Sequence, residues 1–222
     1  MNLIYREFTA RAELEAAALA LLREALAAPA PAPRALMLTG GSTPFGVYTR
    51  LAASGARAAD GVHVFLSDDR HVPLASPDSN YGRLRPTLDA LGVENRLFID
   101  PAVPPAVAAE RYDRALGGII GEMAFPLGIL GLGADGHLAA LFSPAHLTDG
   151  EGHRAIAVKR PDGMNGVSAT PAVLCAAQRL VFWVAGPGKR QAVDALRYQP
   201  SRIPAGLALD AAPLVELWYA PS

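Results

Sequence analysis

Leu14, Ala18, Leu21, Leu22 and Ala25 fall on one stripe of the segment 11–28, with Glu13, Glu15, Arg23 and Glu24 mostly off it. That period of 3.6 residues predicts a long amphipathic helix. The helix stops at the proline-punctuated connector 29–34, which is not a domain boundary, because one helix does not fold alone. Beyond it the pattern changes. Segments 34–41, 61–70, 125–133, 179–186 and 213–220 are short apolar runs with little polar alternation, and 95–100 and 154–160 read as further strands. Helical spacing returns in 42–52, 81–92, 106–120 and 187–196, with Ser42 or Thr43 as an N-cap and Pro86 near a helix start or kink. Unalternating strands separated by helices predict a mainly parallel sheet covered on both faces, in a single α/β domain spanning 1–222.

Four of these strands end in polar or glycine-rich sequence: "TGGSTP", "SDDRHVP", "GLGADGH" and "AGPGK". In an open parallel sheet such ends lie along one edge, where ligands bind. Gly40, Gly41, Ser42 and Thr43 stand at a strand-to-helix junction suited to an anion, although a tight turn with a capped helix explains them as well. Lys189 can add a point charge, or be an ordinary surface lysine. Asp68, Asp69 and Arg70 are three charges directly after a buried strand, so they are expected to face the sheet edge. Arg70 suits a phosphate or carbonyl oxygen. Asp68 suits sugar hydroxyls or an internal ion pair.

Gly131, Gly133 and Gly136 have the G-x-G-x-x-G spacing of a dinucleotide loop, a weak signal alone. Lys159 and Arg160, at the end of a later strand, would even suit a 2′-phosphate. However, "HLAALFS" meets Pro144 after about two turns, too short for the long helix that such a site needs. The loop instead presents Asp135 and His137 at the mouth of a helix. Histidine takes and returns a proton near neutral pH, and an aspartate two residues away can orient it. His63, His71, His146 and His153 form no metal-ligand spacing with it, so no metal is expected. No G-x-S-x-G elbow supports a serine nucleophile.

Composition narrows the partners. The chain has 222 residues and a formal charge of −1, giving no general pull toward nucleic acid or anionic membrane. Any phosphate recognition is therefore local. The single cysteine, Cys175, forms no intrachain disulfide and reads as a buried, inert thiol. The N-terminal segment has no apolar signal region, and no apolar run is long enough for a membrane span. The expectation is a soluble, cytoplasmic protein.

Taken in order, "TGGSTP", "DDRHVP…DSNYG", "GLGADGH" followed by "LF", and "GPGK" resemble the signature loops of the 6-phosphogluconolactonases. These share a superfamily with the glucosamine-6-phosphate deaminases. The resemblance implies a Rossmann-like fold and hydrolysis of 6-phospho-D-glucono-1,5-lactone in the pentose phosphate pathway, without cofactor. It implies His137 as general base on water, oriented by Asp135, with Arg70 or loop N–H groups holding the oxyanion. Gly40, Gly41, Ser42, Thr43, Asp68 and Lys189 would hold the sugar phosphate, in a monomer or weak dimer. Sibling deaminases carry Phe-Asn-Glu-Pro after the histidine, whereas here the fifth residue on is Phe142, with no acid nearby. Three departures stand out: Asp69 replaces a glutamate, Leu138 and Ala140 replace hydroxyl residues, and Gly166 replaces an arginine. Arg160 or Arg154 are the candidates to replace that arginine. The rival readings are a deaminase or isomerase of the same superfamily, a non-catalytic sugar-phosphate sensor, and an NADP-dependent oxidoreductase.

Overall fold

The computed structural model describes residues 1–27 and 33–222, so positions 29–32 of the connector lie outside the described residues. The first half runs β1 (Leu3–Glu7), α1 (Arg11–Ala27), β2 (Arg34–Leu38), α2 (Ser42–Ala53), β3 (Val62–Leu66), β4 (Asp68–Arg70), α3 (Asn80–Leu91), β5 (Asn95–Leu97), α4 (Pro105–Gly117) and β6 (Ala124–Leu130). The second continues with α5 (Pro144–Asp149), β7 (Ala155–Lys159), β8 (Asn165–Ala169), α6 (Pro171–Leu174), β9 (Leu180–Ala185), α7 (Arg190–Tyr198), α8 (Pro204–Ala208) and β10 (Val215–Ala220).

Seven strands form one sheet in the order β1-β10-β9-β6-β2-β3-β5, and every pairing in it is parallel. Side chains on a strand alternate between faces, so a strand covered on both sides must be apolar throughout. β2 shows this: Ala35 and Met37 enter one core, Leu36 and Leu38 the other. In β9, Phe182 joins the first core and the fully buried Trp183 the second. α1, α2 and α3 cover one face with Leu14, Leu22, Tyr48, Leu51, Leu84 and Leu88. α4 and α7 cover the other with Tyr112, Leu116, Val193 and Leu196.

A second sheet, β4-β8-β7, is antiparallel and packs with that second layer. The strand expected at 154–160 belongs to it and not to the parallel sheet. The helix expected directly after His137 is absent: residues 137–142 form turns and an isolated Leu138–Leu141 bridge, and α5 starts only at Pro144. Gly136 at φ +83° and Ala139 at φ +48° explain this, since left-handed residues cannot continue a right-handed helix. Cys175 is half-buried, its thiol donating to the Ala208 carbonyl at 3.4 Å, and burial pushes its pKa up. No helix among the described residues is long and apolar enough to cross a membrane.

α3 matters to the site because its first turn carries Asn80. The Ser79 hydroxyl caps it, accepting from the Gly82 N–H at 2.9 Å, and Gly92 ends it at φ +70°. Gly82 has a packing reason: a Cβ there would lie 1.9 Å from the Leu74 carbonyl oxygen. An ordinary helical Gly→Ala change stabilises by about 1 kcal/mol. Gly82→Ala is instead expected to destabilise by about 2 kcal/mol, as overpacking does. Urea unfolding of the variant measures it, and a gain in stability would contradict this packing.

Candidate active site

The chain leaves β2 toward β3 and β5, then returns on the other side of β2 through β6, β9 and β10. β2 and β6 therefore flank a topological switch point, where the crevice beyond the strand ends is a natural ligand site. The four adjacent strands β9, β6, β2 and β3 deliver the four loops singled out in the sequence. Their ends enclose a cleft of ≈ 170 Å³. Thr39, Gly40 and Gly41 form one wall, and Gly131, Leu132, Gly133 and His137 another.

The histidine loop is built for close approach. His137 Nδ1 lies 2.5 Å from Asp135 Oδ1, and the His137 N–H also donates to that oxygen at 3.2 Å. A Cβ on Gly133 would come within 2.1 Å of His137 Nδ1 and 2.3 Å of Asp135 Oδ1. Glycine is required here for the pair to meet. Gly133 N–H donates to the His137 carbonyl at 2.8 Å and closes the loop. Burial works to raise the Asp135 pKa, but the bond and charge from His137 outweigh it and hold the carboxyl below its ordinary value. An ionised Asp135 accepts the Nδ1 proton, which leaves Nε2 as the basic nitrogen of a ring that lines the cleft. The imidazole also packs on Phe142, ring centroids 4.4 Å apart. Phe142 is held in turn by its N–H, which donates to His146 Nδ1 at 3.1 Å.

The Asp-Asp-Arg segment folds differently from the expectation that all three charges face the edge. Asp69 is 2% exposed and turns inward. Its carboxylate accepts from the N–H groups of Asn80 at 2.6 Å, Tyr81 at 2.9 Å and Arg70 at 2.8 Å, and from the Ser79 hydroxyl at 3.2 Å. The Asn80 and Tyr81 N–H groups are free donors of the α3 N-terminus, a natural partner for a buried acid. Burial pushes Asp69 up to about 6, against the pull of those N–H groups. Asp69 thus fixes Asn80, whose side-chain amide donates to the Asp68 carbonyl at 3.1 Å and accepts from Arg70 Nη1 at 2.9 Å. Arg70 Nε is buried without a hydrogen-bond partner among the described residues, a donor left over at the cleft wall. Asp68 makes no ion pair among the described residues; it accepts from the Ser67 hydroxyl at 2.8 Å.

Gly40, Gly41, Asp68, Arg70, His137 and Lys189 all line this cleft, and Asp135 stands behind His137. Lys189 Nζ donates to the Leu132 carbonyl at 2.8 Å, tying the "GPGK" loop to the histidine loop. Burial lowers its pKa, with the charge of Asp135 working the other way. Ser42 and Thr43 are not among the lining residues: Ser42 is exposed and Thr43 is buried in α2. Arg160, one of the two candidates to replace the arginine absent at Gly166, lines the cleft, whereas Arg154 does not. Asn80 lines it without having been assigned a site role from the sequence. A signal for Asn80 existed, because a Cβ on Gly40 would collide with Asn80 Oδ1 at 2.1 Å. That glycine marks a close approach, but a sequence does not name the neighbour.

The dinucleotide reading has lost its frame, since no long helix follows the glycines and Lys159 ends an antiparallel strand. Comparison with known proteins agrees with the loops. The family model for glucosamine-6-phosphate isomerases/6-phosphogluconolactonase matches residues 9–216. A 6-phosphogluconolactonase of Aggregatibacter actinomycetemcomitans is 31% identical over 175 residues, 76% of this chain and 75% of that protein. One from Synechocystis is 37% identical over 169 residues, covering 71% and 69%. The crystal structure of the Thermotoga maritima 6-phosphogluconolactonase superposes with a TM-score of 0.76 over 99% of both chains; at 24% identity it speaks for the fold alone. The chain belongs to the glucosamine-6-phosphate isomerase/6-phosphogluconolactonase family.

Proposed function

We propose that this protein hydrolyses 6-phospho-D-glucono-1,5-lactone to 6-phospho-D-gluconate, with His137 as general base. The observation that carries the reading is the His137 ring, tied by Nδ1 to Asp135, with Nε2 left to serve a cleft rich in cationic groups. In this mechanism Nε2 takes a proton from water as its oxygen attacks the C1 carbonyl. The negative charge that develops on the carbonyl oxygen is met by Arg70 or by loop N–H groups. The C1–ring oxygen bond then breaks, and the imidazolium returns the proton to the leaving oxygen as the C5 hydroxyl forms. The lactone ester opens unaided in water, so no covalent nucleophile is needed.

Lactone hydrolysis fits better than deamination because Asp68 is the one carboxylate among the cleft-lining residues. At the position where a sibling deaminase carries its glutamate segment, Phe142 packs on the imidazole. The test is lactone disappearance with purified protein, coupled to a downstream dehydrogenase and corrected for spontaneous opening. Ammonia release from glucosamine 6-phosphate, without lactone turnover, would overturn it.

Asp135 is more than half exposed, so its contribution is smaller than that of a sealed aspartate. Asp135→Asn presents an amide that can also hold the wrong tautomer. It is expected to cut kcat about tenfold, a fraction of the whole general-base effect. Steady-state kinetics decide this, and an unchanged kcat would remove Asp135 from the mechanism.

A further inference from the structure

Arg160, a candidate from the sequence to replace the arginine absent at Gly166, is the cleft-lining arginine that the proposed mechanism does not use. It follows β7 at the turn of the β7–β8 hairpin, where its N–H donates to the Met164 carbonyl at 3.0 Å. Its side chain is only 9% exposed, yet its one ion pair is through Nε, to Asp162 Oδ2 at 3.1 Å. No hydrogen bond among the described residues uses its two Nη groups. The guanidinium lies 5.1 Å over the Phe142 ring, whose own centroid is 4.4 Å from that of His137. Asp162 and Phe142 therefore hold the fork in place, with the Nη donors as its free end.

The neighbouring strand makes room for it. Gly166 on β8 pairs with Val158 on β7, and a Cβ at 166 would stand 3.3 Å from Arg160 Cδ and 3.1 Å from the Asp69 carbonyl oxygen. A side chain at 166 would crowd the arginine stem. Gly166 and Arg160 thus act as a pair, in which a bare position on one strand admits a long cation from the other.

We propose that Arg160 is the phosphate-binding and specificity-determining residue of this cleft, gripping the 6-phosphate with its Nη groups. This rests on the function proposed above. A guanidinium matches the oxygens of a phosphate in a two-point contact that a lysine cannot reproduce. Arg70, with Nη1 committed to Asn80, is left for the reacting end of the sugar.

The test is calorimetric titration with 6-phosphogluconate, which reads binding without turnover, with gluconate as the unphosphorylated comparison. Arg160→Gln is expected to weaken 6-phosphogluconate about ten- to a hundredfold, as for a lost hydrogen-bonded charge, and to leave gluconate affinity unchanged. With the lactone, KM should rise by the same factor while kcat stays within a few-fold. In the Arg160→Gln/Gly166→Arg double variant, an arginine supplied from the other strand should recover part of the affinity. Equal affinity of wild type and folded Arg160→Gln for 6-phosphogluconate would overturn the assignment. Should the variant not fold, nitrogen-15 spectra of the wild-type arginine side chains decide: the Arg160 Nε resonance must move on 6-phosphogluconate addition, and a fixed resonance overturns it. A wild type that binds through Arg160 but does not open the lactone would refute the proposed reaction and leave this assignment standing.

Discussion

Replacing His137 with alanine is expected to lower kcat on the phospholactone by about 10²- to 10⁴-fold, the range of a general base. KM should change far less, because the imidazole acts on the attacking water and the anion is held elsewhere. The fold should survive: the ring is part-exposed, and the loop is closed by backbone bonds from Gly133 N–H to the His137 carbonyl and from Ala205 N–H to the Gly136 carbonyl. The residual rate should still exceed spontaneous opening, since Arg70 and the loop amides remain to meet the oxyanion. Initial rates with enzyme-free opening subtracted, together with a thermal melt, check both parts. A folded His137→Ala protein at wild-type kcat would remove the base from the mechanism.

Gly133→Ala carries the second large effect, reached by steric means. The added methyl would overlap both partners of the pair, 2.1 Å from His137 Nδ1 and 2.3 Å from Asp135 Oδ1. Non-bonded heavy atoms settle near 3.5–4.0 Å, so the imidazole must swing away by more than an ångström. A displacement of about 1 Å is enough to cost about a hundredfold in rate. The variant is therefore expected to lose about 10²-fold in kcat. Its stability should fall less than that of Gly82→Ala, because the yielding atoms are side-chain ends here and a backbone carbonyl there. Kinetics and urea unfolding of the two variants separate the effects. Near wild-type activity in Gly133→Ala would mean that the His137–Asp135 contact is dispensable.

The parallel sheet and its loaded edge were legible because each rests on local signals. An apolar run ending in glycine or acid can be read without knowing its neighbours, and four such runs converge whenever their strands share a sheet. What escaped depends on distant partners. Asp69 was expected to face outward, as an acid without a partner must; the α3 N-terminus, ten residues on, supplies its donors. The Ser79 N-cap was in principle a readable sign of that terminus, and of Asn80 within it. The short antiparallel sheet was missed because β4 has three residues, two of them acidic, and β8 starts at Asn165 and Gly166 with no apolar signature. The helix drawn after His137 failed for a residue without any mark, as Ala139 takes φ +48° where its sequence alone favours a helix. Ser42 and Thr43 follow the anion-binding pattern of a strand–helix junction. The switch-point geometry instead brings Thr39, Gly40 and Gly41 to the cleft.

The tautomer of His137 is the most direct measure of the central claim, that Asp135 holds the proton on Nδ1 and frees Nε2 for water. Nitrogen-15 spectra of the imidazole, recorded in alkaline buffer with His137→Ala for assignment, read it directly. A proton on Nδ1 and an unprotonated Nε2 are expected, whereas a proton on Nε2 would contradict the mechanism at its base.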